Sequence, residues 1–180
     1  MKLISILAVA AISAAIFASI SAGAPAKQHA MTGNIVQVAS SESQFSTLVT
    51  LVKKAGLVTA LSNPKAHLTV FAPTNAAFAA LKKADPMTFN AVATTPSLLK
   101  KVLTYHVLTT EVKAAAATSA AKSDASVTTL EGEKIALSLK SGSIVLDGNA
   151  KVVKANVMAS NGVVHVINAV LIPPSVKVEG

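Results

Sequence analysis

The apolar positions of this chain change period part-way along it. Phe45, Leu48, Val49, Leu51, Val52, Ala55, Leu57, Val58 and Leu61 recur at helical spacing. Gly56 in their midst costs about 1 kcal/mol relative to alanine, which predicts two helices or a break near Ala55–Leu57. Asn63-Pro64 ends the stretch, because a residue before proline is pushed out of the helical region. Ahead of it, Ile35–Val38 is a brief apolar run leading to a cap region at Ser40–Ser43. Leu68–Ala72 then reads as a strand, with Leu68, Val70 and Ala72 on one face and Phe71 on the other. A strand apolar on both faces is a buried one. Past Pro73, Thr74 or Asn75 can cap a helix by accepting from a first-turn N–H, and Phe78 and Leu81 share that helix's apolar face. Asp85-Pro86 opens a short helical turn through Val92. Pro96 stands near the start of a helix over Ser97–Thr104, with Leu98, Leu99, Val102 and Leu103 as its stripe. Tyr105–Leu108 reads as β-like, and Val112–Ser126, rich in Ala, Ser and Lys, has no deciding pattern.

From there the chain alternates as strands: Val127–Leu130, Ile135–Lys140, Ile144–Asp147, Lys151–Lys154, Val157–Ser160 and Val163–Ile167. Glu131-Gly132-Glu133, Ser141-Gly142 and Asp147-Gly148-Asn149 are their turns, and Asn161-Gly162 is a strong hairpin signal. Helices lie mostly in the first half and strands in the second, without an internal repeat. The expected class is α+β in one domain.

The N-terminus adds an address. Met1–Ala22 holds one lysine, an uncharged apolar run and small residues at its end, the pattern of a cleaved signal peptide. A membrane anchor is the competing reading of such a run, but Ala and Ser supply much of it and make its insertion weak. The predicted organisation is a signal at 1–22, a tail at 23–32, the domain at 33–176 and a short tail at 177–180. A mature chain of about 155 residues buries roughly two thirds of its unfolded surface, enough for a core without staples.

Composition narrows the chemistry. Hydrophobic residues make up 52% but aromatic ones only 3%, so Val, Leu, Ile and Ala must build the core. Without cysteine there is no disulfide, thiol nucleophile or thiolate metal site. The formal charge is +8, and all sixteen basic residues are lysines. Nucleic-acid readers rely on guanidinium forks and aromatic stacking, which argues against a nucleic-acid partner here. The lysines serve as a solvated surface or attract anionic glycans in a salt-dependent way.

Three ordered motifs carry a family resemblance. Thr69-Val70-Phe71-Ala72-Pro73-Thr74-Asn75-Ala76-Ala77-Phe78 resembles the first signature box of the fasciclin (FAS1) domain, and Leu103-Thr104-Tyr105-His106-Val107-Leu108 is similar to its central Tyr-His motif. The run from Ala159 through Asn161, Gly162, His165 and Asn168 to Pro174 resembles its second box. The resemblance spans roughly Gly33–Val176. It implies a wedge-like β-sandwich with a helical layer, in extracellular proteins of adhesion and matrix contact, without catalysis. It also implies binding residues at Tyr105 and His106 and at Asn156, Val157 and Met158. Two positions depart from the family: Asn156-Val157-Met158 lacks the usual acid, and Asn168 stands where the strand usually ends in Asp. Neutral amides there weigh against an integrin-type contact.

Each candidate also has a plain structural reading. His106 reads as a core imidazole bonded by a neighbour and orienting the first box, and His165, between Val164 and Val166, as a satisfied histidine on the opposite strand face. His29, His67, His106 and His165 show no metal-ligand spacing, and no cofactor is expected. The eight carboxylates sit in no nucleophile elbow or phosphate-cradling loop. The expected function is an exported, monomeric, non-catalytic module of bacterial type, secreted, periplasmic or cell-surface, with no membrane span after signal removal. Its expected partner is a cell-surface or matrix protein or an anionic glycan. The alternative is a carrier of a small apolar ligand lined by residues such as Phe71, Phe78, Leu103 or Met158.

Overall fold

Paired end signals define the helices of the first half. The computed structural model describes residues 33–176, so the expected signal peptide, N-terminal tail and C-terminal tail lie outside the described residues. Helix α1 is Ile35–Ser41, longer than the brief apolar run anticipated there. Its capping box explains the difference: the Asn34 side chain accepts from Gln37 N–H, and the Gln37 side chain accepts from Asn34 N–H at 2.8 Å. The Ser40–Ser43 region ends this helix and enters a 3-10 turn, Ser43–Phe45.

Helices α2 (Ser46–Lys54) and α3 (Val58–Leu61) are split where Gly56 predicted. Gly56 has φ +69°, and the bonds from Gly56 N–H to Lys53 and from Leu57 N–H to Val52 close a Schellman turn. Strand β1 is Leu68–Pro73 and every residue in it is buried. Helix α4 is Asn75–Ala84, capped by Thr74. Helix α5 (Pro86–Thr94) is capped by Asp85, whose carboxylate accepts from Thr88 N–H at 2.9 Å. Helix α6 (Pro96–Tyr105) runs through Tyr105, so β2 shrinks to Val107–Leu108. The undecided stretch contains helix α7, Ala114–Lys122.

The remaining strands are β3 (Ser126–Thr128), β4 (Lys134–Lys140), β5 (Ser143–Leu146), β6 (Ala150–Ala159) and β7 (Gly162–Ile167). Two expected strands, Lys151–Lys154 and Val157–Ser160, are one strand β6 with two register shifts. Its Asn156 sits at φ +57°, a left-handed position that asparagine tolerates. The second hairpin also differs from expectation. Ala159 pairs with Gly162, so Ser160 and Asn161 form the loop and Gly162 opens the strand. A Cβ on Gly162 would lie 2.0 Å from the Leu68 carbonyl oxygen. Gly162 also has φ +152°, which residues with a side chain rarely adopt, so both its conformation and the approach of β1 require glycine.

The sheet order is β2-β1-β7-β6-β5-β4-β3, with β1 and β7 parallel and the other pairs antiparallel. Beyond β3, Thr129 bridges Leu108 of β2, and Leu130 N–H donates to Val107 at 2.7 Å. The two ends of the strand order therefore meet, and the expected sandwich is one sheet rolled onto itself. Leu68, Val70, Ala72, Val164 and Val166 face a core shared with Phe45, Leu48, Phe78 and Leu99 of the helical layer. Phe71, Tyr105 and Ile167 point the other way, into a core inside the roll with Ile135, Leu137 and Leu146, packed by Ala117 and Ala121 of α7. The fold is α+β, with helices first and a seven-stranded sheet completed in the second half.

Candidate functional site

At the junction of these cores, α6 ends in Tyr105 and the chain turns into β2 at His106. Both side chains are buried, at 1% and 2% exposure, so neither belongs to a recognition surface. That corrects the binding role implied for them; the stripe that buries α6 carries them inside with it. His106 bridges two distant backbone groups. Its Nδ1 lies 2.7 Å from the Val102 carbonyl and its Nε2 accepts from Leu171 N–H at 3.0 Å. Those partners fix a neutral ring with the proton on Nδ1. Burial pushes its pKa down to about 4. The His106 carbonyl also accepts from Phe71 N–H at 2.8 Å, which ties it to the first box.

The Tyr105 hydroxyl donates to Asp147 Oδ2 at 2.7 Å and lies 3.1 Å from the Lys134 carbonyl. Asp147 accepts at its other oxygen from Ala136 N–H. Burial first, and then the Asp147 carboxylate, raise the phenol pKa well above its ordinary value.

On β7, His165 stacks on Phe71 with ring centroids 5.8 Å apart. Its Nε2 lies 2.8 Å from the Val112 carbonyl and its Nδ1 accepts from Asn156 N–H at 3.3 Å, again a neutral ring, with pKa lowered by burial. Thr69 Oγ1 donates to Thr110 and accepts from Val112 N–H, both at 2.7 Å. The Asn156 side chain accepts from Ala114 N–H at 2.8 Å, the first residue of α7. Together Thr69, His165 and Asn156 pin the segment leading into α7. Val157 packs against the helical core and Met158 is 37% exposed, so of the five implied binding residues only those of β6 approach a surface.

The other motif asparagines act in the same manner. Asn161 Oδ1 accepts from Ile35 N–H, and its Nδ2 donates to Leu61 and Asn63. Asn75 accepts from Thr47 N–H and donates to Ser43, which holds the start of α2. Asn168 and Lys151 exchange a side-chain and a backbone bond. Pro73 closes β1 opposite Ile167, and Phe78 fills the helical core. Sequence reasoning named these residues but assigned no partner to Thr69, Asn156 or Asp147, since none of the partners is near in sequence.

Two apolar voids flank His106 in the helical layer, about 30 and 20 Å³ in volume. Phe71 and Leu103 line the first, Phe78 and Leu103 the second, and Met158 neither. A benzene-sized guest occupies a cavity of about 150 Å³. Neither void is of that size, so neither supports the carrier reading. Among the described residues no group of three or more His, Asp or Glu could hold a metal ion, and no helix is long and apolar enough to cross a membrane.

The exterior differs in kind. Every lysine among the described residues is exposed, and ion pairs engage Lys101 with Glu131 and Lys113 with Glu111, the latter carboxylate also 3.7 Å from His67.

Comparison with known proteins matches the fasciclin domain model to residues 43–173. Protein sll1483 of Synechocystis is 44% identical over 149 residues, covering 83% of this chain and 77% of that protein. Immunogenic protein MPB70 of Mycobacterium bovis is 34% identical over 160 residues, covering 84% of this chain and 75% of that protein. The transforming growth factor-beta-induced protein ig-h3 of Sus scrofa is 37% identical over 145 residues, and the match covers 81% of this chain but 20% of that longer protein. A solved FAS1 domain pair from the insect cell adhesion molecule Fasciclin I superposes with TM-score 0.70 at 16% identity, covering 81% of this chain and 53% of that one. At that identity the likeness concerns the fold.

Proposed function

The chain belongs to the fasciclin domain family, and from that premise we propose that it is an exported, non-catalytic interaction module. Its partner is a cell-surface or matrix protein or an anionic glycan, met through the outer surface. One observation carries this reading: polar chemistry is divided between inside and outside. Tyr105, His106, His165 and Asn161 are committed to holding the fold, whereas the exposed charge is mostly lysine. A buried, bonded imidazole is a poor general base, and a rigid body with a cationic exterior is suited to docking.

Native mass spectrometry of the protein recovered from its own host tests it. The expected species is a monomer cleaved after Ala22 or Gly23, with no small molecule attached, that binds host envelopes less tightly as salt rises. An uncleaved mass overturns signal removal in favour of a membrane anchor. A reproducible extra mass released on denaturation overturns the module in favour of a carrier.

A further inference from the structure

The helices cover β1 and β7, and the far part of the sheet keeps an open outer face. In β4, Ile135 and Leu137 are buried in the roll, so Lys134, Ala136, Ser138 and Lys140 point outward. The register extends this face: Ser138 pairs with Val145, Val145 with Lys151, and Lys140 with Ser143. Ser126 and Thr128 of β3 stand opposite Ala136 and Lys134. The result is a strip of small and hydroxyl-bearing side chains around the buried Val145, bounded by three lysines. None of the three is in an ion pair among the described residues. Of the nearby acids, Asp147 accepts from Tyr105 and Ala136, Glu131 pairs with Lys101 and Glu133 is half-buried before the strand begins, while Asp124 is exposed at the edge of the face, two residues before Ser126.

Spacing selects the partner. Lys134 and Lys140 are six residues apart on one strand, about 20 Å, and Lys151 lies two strands across, about 10 Å from β4. Lys134 is too far from either of the other two to share a single phosphate or carboxylate with it, but an anion repeated along a polymer reaches all three. A folded protein partner would seek aromatic or arginine anchors, and this face offers none. Nucleic acid would seek stacking platforms, also lacking. Hydroxyl groups of Ser126, Thr128, Ser138 and Ser143 match sugar hydroxyls. We propose that the outer face of β3–β6 is a docking surface for a linear acidic polysaccharide, with Lys134, Lys140 and Lys151 as its charged contacts. This rests on the reading of the chain as a surface-docking module and names its site and partner.

The test uses the processed full chain, with immobilised alginate and dextran sulfate as probes. A triple variant, K134Q/K140Q/K151Q, is compared with K53Q/K83Q/K122Q, which removes equal charge from α2, α4 and α7. Circular dichroism melts confirm that both fold, as exposed substitutions predict. The expected result is that the sheet triple loses about tenfold or more in affinity at low salt and has a flatter salt dependence, while the helix triple changes less than about threefold. Equal losses in the two triples, or no loss in the sheet triple, overturn the proposal. So does a loss confined to phosphatidylglycerol vesicles, which would make the partner a membrane. Host envelopes are assayed in parallel. Wild-type binding to envelopes without binding to either polysaccharide rejects the proposed partner but leaves the docking module standing, and binding to neither rejects both.

Discussion

A single imidazole, His106, joins α6 to the segment after β7, and its protonation state is dictated by geometry. One nitrogen faces a carbonyl and the other an amide N–H, so a second proton would set two donors against each other. The His106 pKa falls from an ordinary value near 6.5 to about 4, and His165 is shifted in the same direction by burial. Between these values the unfolded chain binds more protons than the folded one, so stability rises with pH across this window. The His106 contribution is complete above about pH 6.5 and is lost progressively toward pH 4, about 3 kcal/mol in all. Urea midpoints at pH 7.5 and 4.5 measure it, and a flat profile would count against the neutral ring. Replacing the ring should act similarly at neutral pH. His106→Ala leaves Leu171 N–H and the Val102 carbonyl without the imidazole and is expected to cost about 1–3 kcal/mol. Denaturation of the variant at pH 7.5 checks this, and its acid slope should be shallower than wild type.

Among the elements, β1 and β7 set the tolerances. Their parallel pairing places Leu68 directly against Gly162. Backbone on both sides leaves no flexible neighbour to move aside. Gly162→Ala is therefore expected to cost more than about 3 kcal/mol, at or beyond the usual range for overpacking. A thermal melt within a few degrees of wild type would show that the strands can separate to admit a methyl group. How legible were these elements? The two-faced apolar pattern of Leu68–Ala72, the break at Gly56 and the Thr74 cap all emerged as read, because periodicity and capping act within a few residues. Helix α7 did not. Its Ala-rich sequence has weak amphipathicity, and its first N–H is satisfied by Asn156, 42 residues away. The hairpin loop fell one residue earlier than expected for a related reason, since bonds to Ile35, Leu61 and Asn63 hold Asn161 at its second position.

For the whole molecule, the decisive feature is closure of the sheet onto itself at Leu108 and Thr129. Tyr105 reinforces it, since one hydroxyl at the end of α6 reaches Asp147 beyond β5 and adjoins the carbonyl that starts β4. Tyr105→Phe keeps the ring's packing and removes that link. The expected cost is about 1–2 kcal/mol, because Asp147 lies at the surface where water can replace the hydroxyl. Chemical denaturation against wild type measures it, and an unchanged midpoint would mean that the link does not matter to closure. By itself the sequence determined the class, the order of most elements, the buried status of β1 and the lysine-rich character of the exterior. Each follows from local periodicity or from composition. Only the tertiary structure decided which partners hold Tyr105 and His106 inside, that the sheet's ends meet, and that Lys134, Lys140 and Lys151 share one face. Those facts depend on strand register and on bonds such as His106 to Leu171, 65 residues apart, which no local pattern encodes.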